Sequence, residues 1–524
     1  MPVLNLSELN IVLGVLGAFM ILYGIISVKI KQAWYLGEAL PAVFFGVILG
    51  PIAAKFIESE KWGSAEPGQT SAITLGIARV MIGVQLVIAG YQLPAKYGLT
   101  RWKEMALCLL PIMTVMWLCT TACIMVTIPN LTLLTALVIG SCAIAKGPFA
   151  DKYVPRPLRE VISAEAGAND GFGFPFLMLA TYLIQHAENP PATAEAVAEG
   201  VTEVEAGHAL VARAGEVGRL GGGVGVAMTN WFVETWLYTI VLSIAYGAVL
   251  GYGSCKGVKF ALKSKWIDEE SYVLFPTALG LFTASRLTGM DTIFARLSVV
   301  TMKSTHVSMY YSTLGGSCTL VLFYLGGDFH DPTGTGITWG RLIGLGLLIL
   351  VFRRLPAIFA FYKLMPDVCT NWKEALFMGY FGPIGAGAVF YVEHARHLFP
   401  HDGEGDEEET NLVRAMGPVV YWLVLFSIIV HGLSIPALNI FYHYTGKAPI
   451  QDDAVELRRI SVRVVTPPNA IAGDKDTFIA YNRFSRHIDP SAASLPSNRS
   501  RDDNSFSDDD DDLGKGQKHG MAIV

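Results

Sequence analysis

Charge is scarce in this chain: of 524 residues only 16% are Asp, Glu, Lys or Arg, while 52% are hydrophobic. A composition so poor in charge excludes an ordinary water-soluble domain and a disordered protein alike. Cysteine is also sparse and badly spaced for chemistry. Cys108, Cys119, Cys123, Cys142, Cys255, Cys318 and Cys369 fall mostly in apolar segments without metal-ligand spacing, so neither a disulfide framework nor a zinc site is expected. No basic region precedes the first apolar run and no small-residue cleavage site follows it, so that run reads as a span rather than a leader. The net charge of −6 comes largely from acidic loops and tail and names no partner; nucleic acid is not expected as one.

What the chain has instead is length in apolar runs. Stretches near the ~20 residues that cross a bilayer recur at 11–28, 37–54, 71–92, 104–127, 131–145, 161–184, 228–252, 272–289, 307–326, 338–360, 374–392 and 416–441. Lipid leaves backbone groups no outside partner, so the expected fold is an all-α polytopic bundle. The predicted organisation is a transmembrane domain over 1–441 and a largely disordered tail over 442–524.

Basic clusters follow the first, third, fifth and seventh spans, at Lys29 and Lys31, at Lys96, Arg101 and Lys103, at Lys146 to Arg159, and at Lys256 to Lys265. By the positive-inside rule these exits are cytoplasmic and the N-terminus faces out. The acidic stretches Glu188–Glu216 and Asp406–Glu409 then lie outside, and Arg458, Arg459 and Arg463 put the tail in the cytoplasm. Such a topology needs an odd number of spans, whereas hydropathy counts twelve. The tail ends in "SFSDDDDDLGKGQKHG"; a solvated tail is the plainer reading, and an acidophilic kinase acting at Ser505 and Ser507 the functional one.

One apolar run carries charge where charge is costly. Within "SAEAGANDGFGFPF" (Ser163 to Phe176), Glu165 and Asp170 stand with Asn169 in a segment that otherwise suits lipid, and intramembrane acids are functional candidates. The tripeptide Asn169-Asp170-Gly171 is also a turn signal, but a turn there would leave pieces too short to cross. Gly167, Gly171, Gly173 and Pro175 allow close helix approach and local unwinding. On a helix Glu165 and Asn169 share a face, while Asp170 points roughly 140° from Glu165. Glu165 is therefore expected to pair with a buried arginine and Asp170 to face a pathway. A desolvated carboxylate lets a proton and a small monovalent cation compete for one charge, which gives exchange. An intramembrane protease would need two facing aspartates; Asp170 and Asp291 are the nearest pair, and neither flank resembles that chemistry. No enzymatic activity is expected.

These residues, with "FRRLPAIFAFYKLMPD" (Phe352 to Asp367) and "WKEALFMGYFGPIGAGAVFY" (Trp372 to Tyr391), resemble the fungal plasma-membrane Na+/H+ antiporters of the cation/proton antiporter superfamily. The resemblance implies an inverted-repeat antiporter fold of thirteen spans, a mobile core beside a dimerisation domain, and a homodimer in the lipid bilayer. It also implies exchange of Na+, Li+ and K+ for H+ without a cofactor, in support of salt tolerance and of cation and pH homeostasis. In those terms Asp170 carries the ion and proton, Asn169 supports it, Glu165 is a structural acid, and Arg353 or Arg354 neutralises Glu165. The other reading of the two arginines is that both snorkel to the cytoplasmic face.

The chain departs from that pattern twice. The family's Thr-Asp-Pro motif is missing where "VIGSCAIAKGPFADKY" runs straight into a basic loop, and 292–327 lacks the two spans and second aspartate expected there. Altered splicing, a frameshift or a gene-model error is the favoured explanation. The competing one is a transport-impaired paralogue acting as a non-transporting scaffold or sensor.

Overall fold

Proline and glycine decide where the long helices of this protein stop being continuous. The computed structural model describes residues 101–144, 155–187, 218–266 and 336–446, the helix at 39–49, a single turn at 97–100 and scattered positions from 17 to 83. The acidic loop 188–216, Asp291, the 292–327 segment, Ser505 and Ser507 lie outside the described residues. The chain divides into Met1–Ile450 and Gln451–Val524, and all described residues belong to the first unit.

Every element among the described residues is helical. We label them α1 (Ala39–Leu49), α2 (Trp102–Thr127), α3 (Leu133–Cys142), α4 (Arg156–Phe172), α5 (Phe174–Gln185), α6 (three stretches, Gly223–Asn230, Trp231–Val241 and Leu242–Lys263), α7 (Trp339–Phe352), α8 (Leu355–Phe361), α9 (Trp372–Tyr380), α10 (Ala386–Arg396) and α11 (Glu407–Tyr444). Among the described residues, four helical runs are long and apolar enough to cross a membrane: Trp102–Thr127, Gly223–Val258, Trp339–Leu364 and Glu407–Tyr442. Their outer faces carry large bare side chains such as Leu118, Val126, Tyr238, Val249, Leu347, Leu433 and Phe441. Water would not tolerate such a band, and lipid favours it.

Helix ends follow local chemistry. Asp406 Oδ1 accepts from the Glu409 amide at 2.8 Å while Glu409 Oε2 accepts from the Asp406 amide at 3.3 Å, a reciprocal capping box that starts α11. Asn371 Oδ1 caps α9 by accepting from the amides of Lys373 and Glu374. Pro111 lies in a π-helical turn, Cys108–Ile112, within α2; the lost donor and the bulky ring are absorbed by the wider turn.

Three apolar runs differ from the simple spans expected. The run 161–184 is two helices meeting at Gly173, with Pro175 in the first turn of α5. Asn169, Asp170 and Gly171 are helical rather than a turn, and the break falls two residues later because the Pro175 ring cannot follow an uninterrupted α-helix. The run 374–392 is not continuous: α9 ends at Tyr380, Phe381–Gly385 is non-helical around Pro383, and α10 begins at Ala386. The run 131–145 condenses to the ten residues of α3, about 15 Å of helix. That is half the hydrocarbon thickness, and it is buried against α2, α5, α10 and α11.

Ion pairs tie the two ends of this bundle. Arg101, just before α2, bridges Glu104 and Asp367 at 3.0 and 2.9 Å. Beyond the other end of α2, Thr132 donates to Glu408, and Arg219 reaches Asp406 at 2.8 Å, Glu408 at 2.5 Å and the Ile184 carbonyl at 2.5 Å.

Candidate functional site

α4 is buried nearly all round from Val161 to Gly171 although it carries two carboxyls and an amide. A helix without a polar outer face must satisfy those groups inside the protein. Glu165, 1% exposed, receives both guanidinium nitrogens of Arg354, Nη1 at 2.5 Å and Nη2 at 2.7 Å. This two-point contact fixes the carboxyl in its ionised form, since arginine can only donate.

Arg354 arrives there through a local break. It lies with Arg353 at the joint between α7 and α8, and Pro356 in the first turn of α8 prevents one helix from running through. Both arginines point into the protein, 4% and 2% exposed, so neither snorkels to a surface. Arg354 Nε also donates to the Met378 carbonyl at 2.8 Å. Arg353 donates from Nη1 to the Ala143 carbonyl at 2.8 Å and from Nη2 to the Gly382 carbonyl. These acceptors lie at the C-terminal ends of α3 and α9, where carbonyls lack helical partners and the helix dipole is negative. Arg353 therefore stitches two broken elements together instead of pairing with an acid. Gly382 leaves room for this: a Cβ there would stand 2.7 Å from Arg354 Cδ.

Asn169 and Asp170, 1% and 4% exposed, sit one turn beyond Glu165. Tyr391 of α10 donates its hydroxyl to the Asp170 backbone carbonyl. That carbonyl belongs to the last turn of α4, so the phenol holds the end of the helix that Gly173 and Pro175 interrupt. Asn169 Oδ1 is buried with no hydrogen-bond partner among the described residues, an acceptor whose isolation costs about 1–3 kcal/mol. A hard monovalent cation bound beside Asp170 would give that oxygen a partner. Gly167 and Gly171 are buried within α4, and the Pro175 carbonyl accepts from Trp231 of α6 at 2.8 Å.

The site's charges balance simply. Glu165 and Asp170 ionised offset Arg353 and Arg354, so binding either one proton or one monovalent cation leaves the same net charge. Beside the arginines is a cavity of about 20 Å³ lined by Arg353, Arg354, Tyr380, Ser427 and His431, room for about one water. Neither Asn169 nor Asp170 lines it.

Several residues of this neighbourhood were not singled out from sequence. Tyr391 has no signal in an apolar run. Glu393, on α10, stands one residue past the expected end of the run 374–392. Glu234, in the π-helical stretch of α6, accepts from Tyr182 at 2.5 Å; its acid inside the run 228–252 was the available signal. His431 places Nδ1 2.8 Å from the Ser427 carbonyl and Nε2 3.0 Å from that of Tyr380.

Comparison with known proteins gives one consistent picture. The family model for the transmembrane sodium/hydrogen exchanger matches residues 15–440. A protein of Schizosaccharomyces pombe named a probable Na(+)/H(+) antiporter is 33% identical over 82% of this chain and 56% of its own length. An Na(+)/H(+) antiporter of Saccharomyces cerevisiae is 28% identical over 84% of this chain and 44% of its own length. Another of Schizosaccharomyces pombe is 28% identical over 88% and 97%. The chain thus spans about half the length of the first two. Among solved structures, the sodium proton antiporter of Methanocaldococcus jannaschii aligns over 82% of this chain and all of its own, at 15% identity and a TM-score of 0.45. With one family matched across nearly the whole helical region and fungal relatives over more than four fifths of the chain, this protein belongs to the sodium/hydrogen exchanger family of transmembrane proteins.

Proposed function

We propose that the protein exchanges a monovalent alkali cation, Na+ or Li+ with K+ as a further substrate, for a proton across the plasma membrane. Asp170 binds either ion, and the Asn169 amide oxygen assists the cation. The observation that carries the reading is the buried Asn169 Oδ1, which has no hydrogen-bond partner among the described residues and stands beside the buried acid Asp170 on the helix whose other acid, Glu165, is held by Arg354. Arg354 holds Glu165 at two points, which leaves Asp170 and Asn169 as the polar groups of α4 proposed to meet the ion. A proton and a cation then compete for Asp170, and a gradient of one drives the other in the opposite direction. The names of the fungal relatives support Na+ and H+ as the exchanged pair. A homodimer, a cytoplasmic tail and kinase control at Ser505 and Ser507 complete the proposal.

The test is cation-dependent proton flux in vesicles containing the purified full chain. Asp170→Asn is expected to abolish exchange while the protein remains folded and monodisperse, and normal flux from that variant would overturn the assignment. Absence of flux from the parent itself, correctly inserted, would favour the non-transporting reading.

A further inference from the structure

Glu393 is a third buried acid whose surroundings differ in kind from those of Glu165. It lies in the last turn of α10 and is 2% exposed. Its one ion-pair contact among the described residues is long: Arg396 Nη1 is 3.9 Å from Oε1, beyond hydrogen-bond distance, and that arginine is 32% exposed. Two hydroxyls hold it instead, Tyr421 of α11 at Oε1 and Ser71, far away in sequence, at Oε2.

That difference has a chemical consequence. Arginine only donates, so the frame around Glu165 fits the ionised carboxylate alone. A hydroxyl donates or accepts. Glu393 is therefore fully hydrogen-bonded as a carboxylate accepting from both hydroxyls, and equally as a carboxylic acid that donates to one and accepts from the other. Gaining a proton requires that one hydroxyl turn from donor to acceptor and redirect its own hydrogen, which the part-buried Ser71 is placed to do.

The remaining groups around the carboxyl shape this exchange without fixing it. From its own helix come His394 and Arg396, and from just past its end His397, whose Nδ1 is 2.6 Å from the Glu393 backbone carbonyl. Tyr421 faces it from α11, and Ser71 and Arg79 come from the 71–83 stretch, with Arg79 close enough to act electrostatically on His394. His394 stacks on Phe390 and lies against Phe174, the first residue of α5. Two residues before Glu393, on the same helix, Tyr391 holds the Asp170 carbonyl.

We propose that Glu393, framed by Tyr421 and Ser71, is a second proton-binding site, taking up and releasing one proton as a neutral carboxylic acid on the helix that braces Asp170. Its part in transport rests on the exchange reading above; its protonation does not. The experiment is a pH titration of the purified full chain by infrared difference spectroscopy, which needs no transport. Acidifying the parent should bring up a carboxyl C=O band that is missing in Glu393→Gln, a variant that keeps an acceptor and a donor for the two hydroxyls. Tyr421→Phe removes one donor to the carboxylate and should raise the midpoint of that band by about half a pH unit or more. The same band at full intensity in Glu393→Gln would overturn the proposal. Should Glu393→Gln aggregate, an unchanged midpoint in Tyr421→Phe overturns it equally. A titrating Glu393 in a chain without exchange would sink the transport reading and leave the site standing.

Discussion

The Arg354–Glu165 pair allows a magnitude to be worked out in advance. Replacing Arg354 by Gln leaves a carboxylate, 1% exposed, with no cation at 2.5 and 2.7 Å, a change that costs about 3–5 kcal/mol when one partner of a buried pair is lost. The Met378 carbonyl also loses its donor, for about 1 kcal/mol more. Glu165→Gln alone strands the guanidinium in the same way. The double variant removes both charges together and leaves two amides of suitable size, so its loss should fall short of the sum of the single losses by about 2–3 kcal/mol. The assay is equilibrium unfolding of the purified protein in mixed micelles, read by tryptophan fluorescence for the parent, both single variants and the double. A single-variant loss under about 1 kcal/mol would mean that water reaches the pair and screens it. Simple additivity in the double would mean that the two side chains act separately, and either outcome refutes the reasoning.

Gly173→Ala places a Cβ 2.9 Å from Tyr391 Cε2; the ring is buried and tethered to Asp170, so a loss of about 1–3 kcal/mol is expected, and parental stability and flux would show that the ring yields. Arg219→Ala removes the cation that joins Asp406, Glu408 and the Ile184 carbonyl. Asp406 is partly exposed, so about 1 kcal/mol is the expected loss at neutral pH. Burial pushes the Asp406 carboxyl up, but the Glu409 amide and Arg219 outweigh it and hold the group below its usual range. A depressed folded value contributes stability that is present above the unfolded value and disappears as pH falls through the folded one. The gap between parent and Arg219→Ala should therefore close below about pH 4, and a gap unchanged between pH 7 and pH 3 would refute this account.

The cost of burying charge made much of the candidate site legible in the sequence. Glu165 and Asp170 stood out because nothing else in their run carries charge, and the roughly 140° offset between the two acids separated their surroundings. The breaks were harder to read. Hydropathy averages over a window and cannot tell one continuous span from two half-helices, so 374–392 read as a single run although Pro383 and its flanking glycines lay inside it. The same averaging ended the run one residue before Glu393, although α10 carries that acid into the buried interior.

The sequence by itself determined the membrane class and the helical fold, because lipid forbids unpaired backbone and this chain has too little charge to live in water. It also determined where the acids would be. Only the tertiary structure decided what each acid meets. Arg353 and Arg354 are adjacent and identical in chemistry, yet one pairs with Glu165 and the other binds the carbonyls of Ala143 and Gly382. Their side chains leave the joint in different directions, and the partners lie 189, 210 and 29 residues away. Local periodicity carries no information at those separations, and close packing of the broken helices supplies it.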